Sequence, residues 1–384
     1  MTRDAGEPWA VTAKDRRALA RSLRSRDASA AVVTVAAVEG SAYRRPGAKM
    51  VVPAGGEPVG AVTAGCLEGP AVDVATTVIE SGRPRTEVFD MTADDSGEWG
   101  LGLGCNGVID LFVEPLDASL DPVLDVLADG EPVTVVTVVE AGEDELVGSR
   151  VLVTRDGTVR DVPARRRVPD GLLDDAADTI EQVRGTAATQ TAEVGSGATL
   201  LVDGLQPVPT VLAVGSQPDV EPVTRFADDV GFRVVVYSPR GATDESTFPR
   251  ADIVRTGNPS DVADVVETPE HTYAVVMSHN LVDDRLAVEA LLDRAALPYV
   301  GLMGPRKRFD SLRDLLADDG VALPAEALER ISTPVGLDLG GGTPAEIALS
   351  VVGEVVAVSN GRAGGRLSDR AGPIHPRTAV DGGD

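Results

Sequence analysis

The sequence predicts an α/β protein in two parts: a strand-rich α+β domain, then a doubly wound parallel-sheet domain. Three observations carry that expectation. Strand-like runs follow one another through turns in the first half, as in PVTVVTVVEA and SRVLVTRDGTVRDV. After QPVPT the pattern becomes strand, turn, amphipathic helix, strand in PTVLAVGSQPDVEPVTRFADDVGFRVVVYSPR, the alternation of a parallel sheet with helical crossovers. Runs such as TVLAV and RVVVY are apolar throughout, as befits strands covered on both faces.

Residues 1–27 read as a lead-in with one helix around Thr12–Arg26. The first domain spans 28–204 and holds a polar helix near Leu172–Val183. Within it, 31–60 and 132–161 share a pattern at a constant offset of 101. Val38-Glu39 answers to Val139-Glu140, Gly47 to Gly148, Lys49 to Arg150, Val51-Val52 to Leu152-Val153, and Gly56 to Gly157. A duplicated strand-turn-strand unit and a chance match of Val/Gly-rich strands both account for it. The second domain, 205–362, continues through ADIVRTG, then TYAVVMSHN with a helix over Asp284–Ala295, then LPYVGLMGPRKRFDSLRDLL. In its last unit Thr343 is the N-cap of a helix, Pro344 its first residue, and Glu346 completes a capping box. The tail, 363–384, is rich in Gly, Asp and Pro and is expected to be flexible.

Composition narrows the function. The formal charge is −26, from 35 basic and 61 acidic residues, which argues against a nucleic-acid partner. Lys14, Lys49 and Lys307 are the only lysines. Such an acidic, lysine-poor chain fits a salt-accumulating halophile, in which salt screens the self-repulsion, or a GC-rich genome. Aromatics make up 3%, so the cores must be built from Val, Leu and Ala. No apolar run approaches the about 20 residues of a membrane span, and the first thirty residues lack a signal-peptide core. Two cysteines make no disulfide framework. These features suit a cytoplasmic protein with reduced thiols.

Five stretches can carry chemistry. GSAYRRPGAKM places Arg44, Arg45 and Lys49 in a glycine-rich turn, either as an anion grip or as a solvated hairpin tip. GCLE puts Cys66 where a strand pattern gives way to a helical one. A helix N-terminus favours the thiolate, while Glu68 opposes it. The thiol is then a nucleophile, a soft-metal ligand or a sulfur carrier, or else a small packing residue. Cys105, among the glycines of GLGLGCNG, has the same two readings. GSQPDVEP, Gly215–Pro222, occupies the phosphate turn of a dinucleotide fold, but Gln217 and Val220 replace two glycines of the G-x-G-x-x-G fingerprint. Ser238 stands where an acidic residue would hold a ribose, and Arg240 is instead suited to a phosphate, which disfavours ordinary NAD binding. GLMGPRKRFDSL sets Arg306, Lys307 and Arg308 at a helix N-terminus against the macrodipole. An anionic ligand or paired carboxylates would resolve that conflict. His279 ends the strand TYAVVMSHN, at the sheet edge where open α/β folds contact ligands.

In order, these stretches resemble the XdhC/CoxI family, accessory proteins of xanthine dehydrogenase and related molybdenum hydroxylases, from about Ala31 to Gly361. Gly40–Met50 is similar to the family's G-S-x-P-R-x-x-G-A-K-M signature, with Tyr43 replacing the proline. Gly65–Glu68 matches G-C-L-E, and GLGCNGVIDLFVEPL matches the Cys-Gly turn before E-P-L. The PDVEP turn, FRVVVYSPR, VVMSHN, YVGLMGPRKR and PVGLDLGGGTPAEIALS resemble its Rossmann-like C-terminal domain. The resemblance implies an XdhC/CoxI-type domain followed by a Rossmann-like one. It implies a maturation factor more than a turnover enzyme, one that binds molybdenum cofactor, supports its sulfuration by a cysteine desulfurase and inserts it into an apo-molybdenum hydroxylase. It implies a homodimer. It places Cys66 and Cys105 near the cofactor, Cys66 touching molybdenum, and Arg44, Lys49 and Arg306–Arg308 on its phosphate and pterin. Gly65, Glu68, Gly104, Gly215, Asp219, Arg240, His279 and Gly304 are the remaining candidate contacts. Two rival readings stay open: an NADP-dependent oxidoreductase using Arg240, and a regulatory partner of a molybdoenzyme that never touches cofactor.

Overall fold

The computed structural model describes residues 29–91, 106–195, 197–239, 245–293, 297–321 and 323–369. The expected lead-in helix, Gly104, Cys105, Arg240 and the tail beyond 369 lie outside the described residues. The chain divides into two compact units between Val208 and Pro209. Among the described residues no helix is long and apolar enough to cross a membrane.

The first unit holds two antiparallel five-stranded sheets. One runs β3-β2-β1-β5-β4, built from β1 (Ala30–Ser41), β2 (Lys49–Pro53), β3 (Val59–Gly60), β4 (Arg85–Asp90) and β5 (Asn106–Pro115). Helix α1 (Glu68–Ser81) lies between β3 and β4 in the chain. After the short helix α2 (Asp121–Ala128), the second sheet repeats the order as β8-β7-β6-β10-β9. Its strands are β6 (Val133–Glu140), β7 (Arg150–Thr154), β8 (Val159–Asp161), β9 (Thr189–Val194) and β10 (Ala198–Leu205). The helix expected near Leu172–Val183 is two helices, α3 (Asp170–Asp175) and α4 (Ala177–Val183). They break at Ala176, whose ψ of 6° leaves the α-helical region.

Strand periodicity explains the layering. Ala31, Val33 and Val35 of β1 pack on Ala71, Ala75 and Val78 of α1. The alternate residue Ala36 and Phe112 of β5 face the other way, against Val139 and Leu201 of the second sheet. That sheet buries Val136, Val138, Val151 and Val153 against Leu172, Leu173 and Val183 of α3 and α4. The order of layers is helix, sheet, sheet, helix. Both faces of β1 and β6 are covered, which is why their sequences are apolar almost without interruption.

The two sheets correspond residue by residue. Thr34 pairs with Lys49 in one and Thr137 with Arg150 in the other. Val32 pairs with Glu114, and Val135 with Asp203. Both long strands carry a β-bulge at the matching residue, Ala36 and Val139. The sequence offset of 101 therefore holds between β2 and β7. The turn before β7 is two residues shorter than that before β2, so β1 and β6 match in a register shifted from that offset. Val38-Glu39 does not answer to Val139-Glu140.

The second unit is a six-stranded parallel sheet ordered β13-β12-β11-β14-β15-β16. Its strands are β11 (Thr210–Val214), β12 (Arg233–Ser238), β13 (Ile253–Thr256), β14 (Thr272–Val276), β15 (Tyr299–Leu302) and β16 (Ile331–Ser332). Helices α5 (Val220–Asp229) and α9 (Pro344–Ser359) supply Val220, Val223, Val351 and Val355 to one face. Helices α6 (Leu281–Asp293), α7 (Arg306–Asp318) and α8 (Ala325–Glu329) supply Ala287, Leu291, Leu312 and Ala327 to the other. The chain reverses its direction of winding between β11 and β14, so their carboxyl ends border a crevice. Thr343 and Glu346 form the expected capping box on α9.

Candidate functional site

The loop into α1 is built by Thr63. Its hydroxyl accepts hydrogen bonds from the backbone N–H of Leu67 (3.1 Å) and Gly65 (3.3 Å). Glu68, the first residue of α1, closes the loop. Its carboxylate accepts from Thr63 N (2.9 Å) and Thr63 Oγ1 (2.5 Å). Gly65 has φ +114°, which side-chain-bearing residues rarely adopt. Leu67 is buried in the core under α1, and Cys66 between them is half-buried with a reduced thiol. The Glu68 carboxylate is thus engaged by the turn. Thr63 is the residue that sequence reasoning missed, and a Thr five positions before the helix's first Glu is the signal that marks it.

The turn at 42–48 borders the same core cluster: Ala42 and Ala48 pack on it, as Cys66 does. Arg44 in this turn is half-buried and its guanidinium lies 5.9 Å from the centre of the Tyr43 ring. Tyr43 and Arg45 are exposed. Lys49, one residue beyond Ala48, points to the opposite face of β2. Its Nζ meets Asp203 Oδ2 at 2.6 Å between the two sheets. The turn that carries Arg44 therefore borders the same core cluster as Cys66, while Lys49 is engaged in an internal ion pair.

In the second unit the crevice at the switch point collects Gly215, Asp219 and His279. A Cβ on Gly215 would stand 2.8 Å from the Met277 carbonyl oxygen, so the first turn tolerates only glycine there. Asp219 is the N-cap of α5 but makes no cap hydrogen bond. Its Oδ2 instead meets His279 Nε2 at 2.7 Å, and its Oδ1 is buried without a hydrogen-bond partner. His279 itself has φ +60°, a left-handed conformation that costs a non-glycine residue on the order of 1–2 kcal/mol.

Its neighbours hold it there. Ser278 donates to the buried Asp284 through both N (3.2 Å) and Oγ (2.5 Å), and Asn280 Oδ1 accepts from Val282 N and Asp283 N to cap α6. That cap starts α6 three residues before the expected Asp284. Arg308 reaches across from α7 and donates to Asp284 Oδ2 through Nε (2.9 Å) and Nη2 (2.5 Å). Of the three cations at the start of α7, Arg308 is thus paired with a carboxylate, and Gly304 sits against its side chain. Arg306 and Lys307 are exposed.

Residues 211–355 match the family model described as the XdhC Rossmann domain, and residues 23–90 match that of the XdhC and CoxI family. The chain is 30% identical over 335 residues to a probable xanthine dehydrogenase subunit from Bacillus subtilis (strain 168), across 85% of this chain and 92% of that protein. The chain belongs to the XdhC and CoxI family. Among solved structures, a xanthine dehydrogenase from Bacillus halodurans superposes on this XdhC/CoxI protein with a TM-score of 0.70. They share 26% identity, over 93% of this chain and 98% of that one. A more distant match is the YqeB protein of Escherichia coli (strain K12), 25% identical over 170 residues, 44% of this chain and 30% of that protein.

Proposed function

We propose that this XdhC/CoxI protein is an accessory factor of a xanthine dehydrogenase-type molybdenum hydroxylase. It binds molybdenum cofactor at the Cys66 turn, supports its sulfuration and delivers it to the apo-enzyme. The observation that carries this reading is the Cys66 turn, whose Thr63–Glu68 clasp sets a half-buried thiol on the core cluster that the Arg44 turn also borders. Among the described residues no group of three or more His, Cys, Asp or Glu side chains can hold a metal. A metal that arrives on its own organic ligand needs only one soft protein donor, and Cys66 supplies one. When bound, the cofactor supplies a molybdenum atom held by the sulfurs of a pterin. Thr63 and Glu68 keep the thiol oriented. Arg44 offers a fork of donors to a phosphate. Cys66 Sγ can also accept sulfur from the persulfide of a cysteine desulfurase, becoming a persulfide while the donor leaves as a thiolate.

An NADP-dependent oxidoreductase is disfavoured. The N-terminus of α5, where a dinucleotide's pyrophosphate would rest, carries the Asp219 carboxylate.

The test is cofactor binding. Released molybdenum cofactor is mixed anaerobically with the purified protein in molar potassium chloride and the complex is separated by size. Oxidised pterin fluorescence in the protein fraction reports binding, with Cys66→Ser run beside it. Co-elution that weakens in Cys66→Ser is the expected result. Equal co-elution would remove the thiol from the site, and none with folded protein would overturn the proposal.

A further inference from the structure

The space between the two sheets of the first unit is not filled. Its apolar side chains form three separate clusters, around Leu124, around Val123 and around Phe112. Members of all three line one cavity of about 160 Å³. Folded interiors carry few voids of this size, and one walled partly by polar groups suits a bound molecule. The duplicated topology shows which polar groups are left over. Thr34 and Lys49 are cross-strand neighbours in the first sheet, as Thr137 and Arg150 are in the second. In the second sheet the set is closed. Arg150 donates to Thr137 Oγ1 (3.0 Å), Ser119 Oγ (2.9 Å) and Glu114 Oε1 (2.5 Å). In the first it is open. Among the described residues Lys49 Nζ donates only to Asp203, which leaves two of its three N–H bonds unused. The Thr34 hydroxyl, on a residue 3% exposed, makes no hydrogen bond there. Both side chains line the cavity. The carboxylates beside them are already engaged, Asp203 by Lys49 and Thr189, Glu114 by Arg150 and Arg165. The cavity therefore offers donors. Charge points the same way. Lys49, Arg150 and Arg165 are largely buried with Glu114 and Asp203, while Asp117, which also pairs with Arg165, is 28% exposed. One further buried anion balances the set.

We propose that this cavity binds a small monocarboxylate with a branched or aromatic hydrocarbon tail. One carboxylate oxygen accepts from Lys49 Nζ and the other from Thr34 Oγ1, side chains whose Cβ atoms, as cross-strand neighbours, stand about 5 Å apart. The tail lies among Phe112, Leu120, Leu124 and Leu201, which line the same cavity. An apolar cavity of about 150 Å³ admits benzene, so this one limits the tail to about six carbons and excludes a nucleotide or a pterin cofactor. The inference stands apart from the reading of the Cys66 turn and does not depend on it.

The experiment titrates 4-fluorobenzoate into the full chain in molar potassium chloride and follows binding by fluorine NMR. Unlabelled benzoate is expected to displace the probe, and benzyl alcohol, of like shape but without the charge, is not. The isosteric Thr34→Val variant is expected to weaken binding on the order of 10-fold, the loss of a hydrogen bond to a charged group. Its melting temperature is expected not to fall, because the hydroxyl has no partner in the fold to lose, a combination that a merely structural role would not give. Leu124→Phe, which fills part of the cavity from α2, is expected to abolish binding. No binding of 4-fluorobenzoate to the folded parent, equal displacement by benzyl alcohol, affinity unchanged in Thr34→Val, or binding that persists in Leu124→Phe would each overturn the proposal. None of these outcomes bears on the Cys66 reading, which is tested with molybdenum cofactor.

Discussion

Lys49 of the first sheet pairs with Asp203 of the second, and the equivalent residues pair in the reverse sense, Arg150 of the second sheet with Glu114 of the first. All four side chains are largely buried between the sheets. Arg150 also donates to Thr137 Oγ1 and Ser119 Oγ, and Asp203 accepts from Thr189 Oγ1. Breaking one side of such a pair leaves a charge stranded. Lys49→Met is expected to lower unfolding free energy by about 3 kcal/mol, and Lys49→Met with Asp203→Asn to recover at least half of that. Urea unfolding in molar potassium chloride checks both, and the loss persists there because a buried pair is weakly screened.

The Thr63–Glu68 clasp predicts the reactivity of Cys66. In a Cys105→Ala background, Thr63→Val is expected to speed modification of Cys66 by a disulfide reagent several-fold. It is also expected to lower stability by about 1–3 kcal/mol, since Leu67 N, Gly65 N and the Glu68 carboxylate all lose a partner. Unchanged kinetics would show that the clasp does not govern the thiol.

Asp110 sets a pH dependence. Burial, then the carboxylates of Glu39 and Glu140, push its pKa above the ordinary 3.8. The folded state therefore holds this proton more tightly than the unfolded chain does. Asp110 costs stability once pH exceeds the raised folded value, and that cost fades as pH falls towards 3.8. Asp110→Asn is expected to raise Tm at neutral pH, more at low salt than high, with the gain shrinking in acid. Melting curves across pH at two salt concentrations measure it.

Thr343 accepts from Glu346 N, while Glu346 accepts from the N–H groups of Thr343 and Gly342. Those hydrogen bonds hold the Glu346 carboxyl below its usual value, so their contribution is present at neutral pH and is lost as pH falls through the depressed folded value. Thr343→Ala is expected to cost about 1 kcal/mol. Thermal melting of the two proteins at neutral pH measures the difference.

The sequence reveals what depends on neighbours along the chain. The capping box needs only Thr343, Pro344 and Glu346, and it forms. The parallel sheet follows from apolar runs alternating with helical ones, and His279 lies where the end of its strand puts it. Pairings across the fold are not legible this way. Lys49 and Asp203 are 154 positions apart, and only the duplicated topology brings them together. Asp284 looks like an ordinary helix residue until Arg308 arrives from the next crossover. The apolar strands of the first unit resemble those of the second because both are covered twice, by helices and a facing sheet in the first and by helices on both sides in the second. The break at Ala176 has no glycine or proline to announce it.

The Arg308–Asp284 bond gives the crevice unequal jaws. It joins the loops after β14 and β15 through one carboxylate that also holds Ser278, so these loops can only shift together, as a stiff wall. The first turn, Gly215–Asp219, lies opposite, and its side-chain link to that wall is the half-exposed His279–Asp219 contact. Motion on the nanosecond to microsecond scale should therefore concentrate in the first turn. A ligand that takes over that contact would act as a wedge or a latch on one jaw while the other stays still.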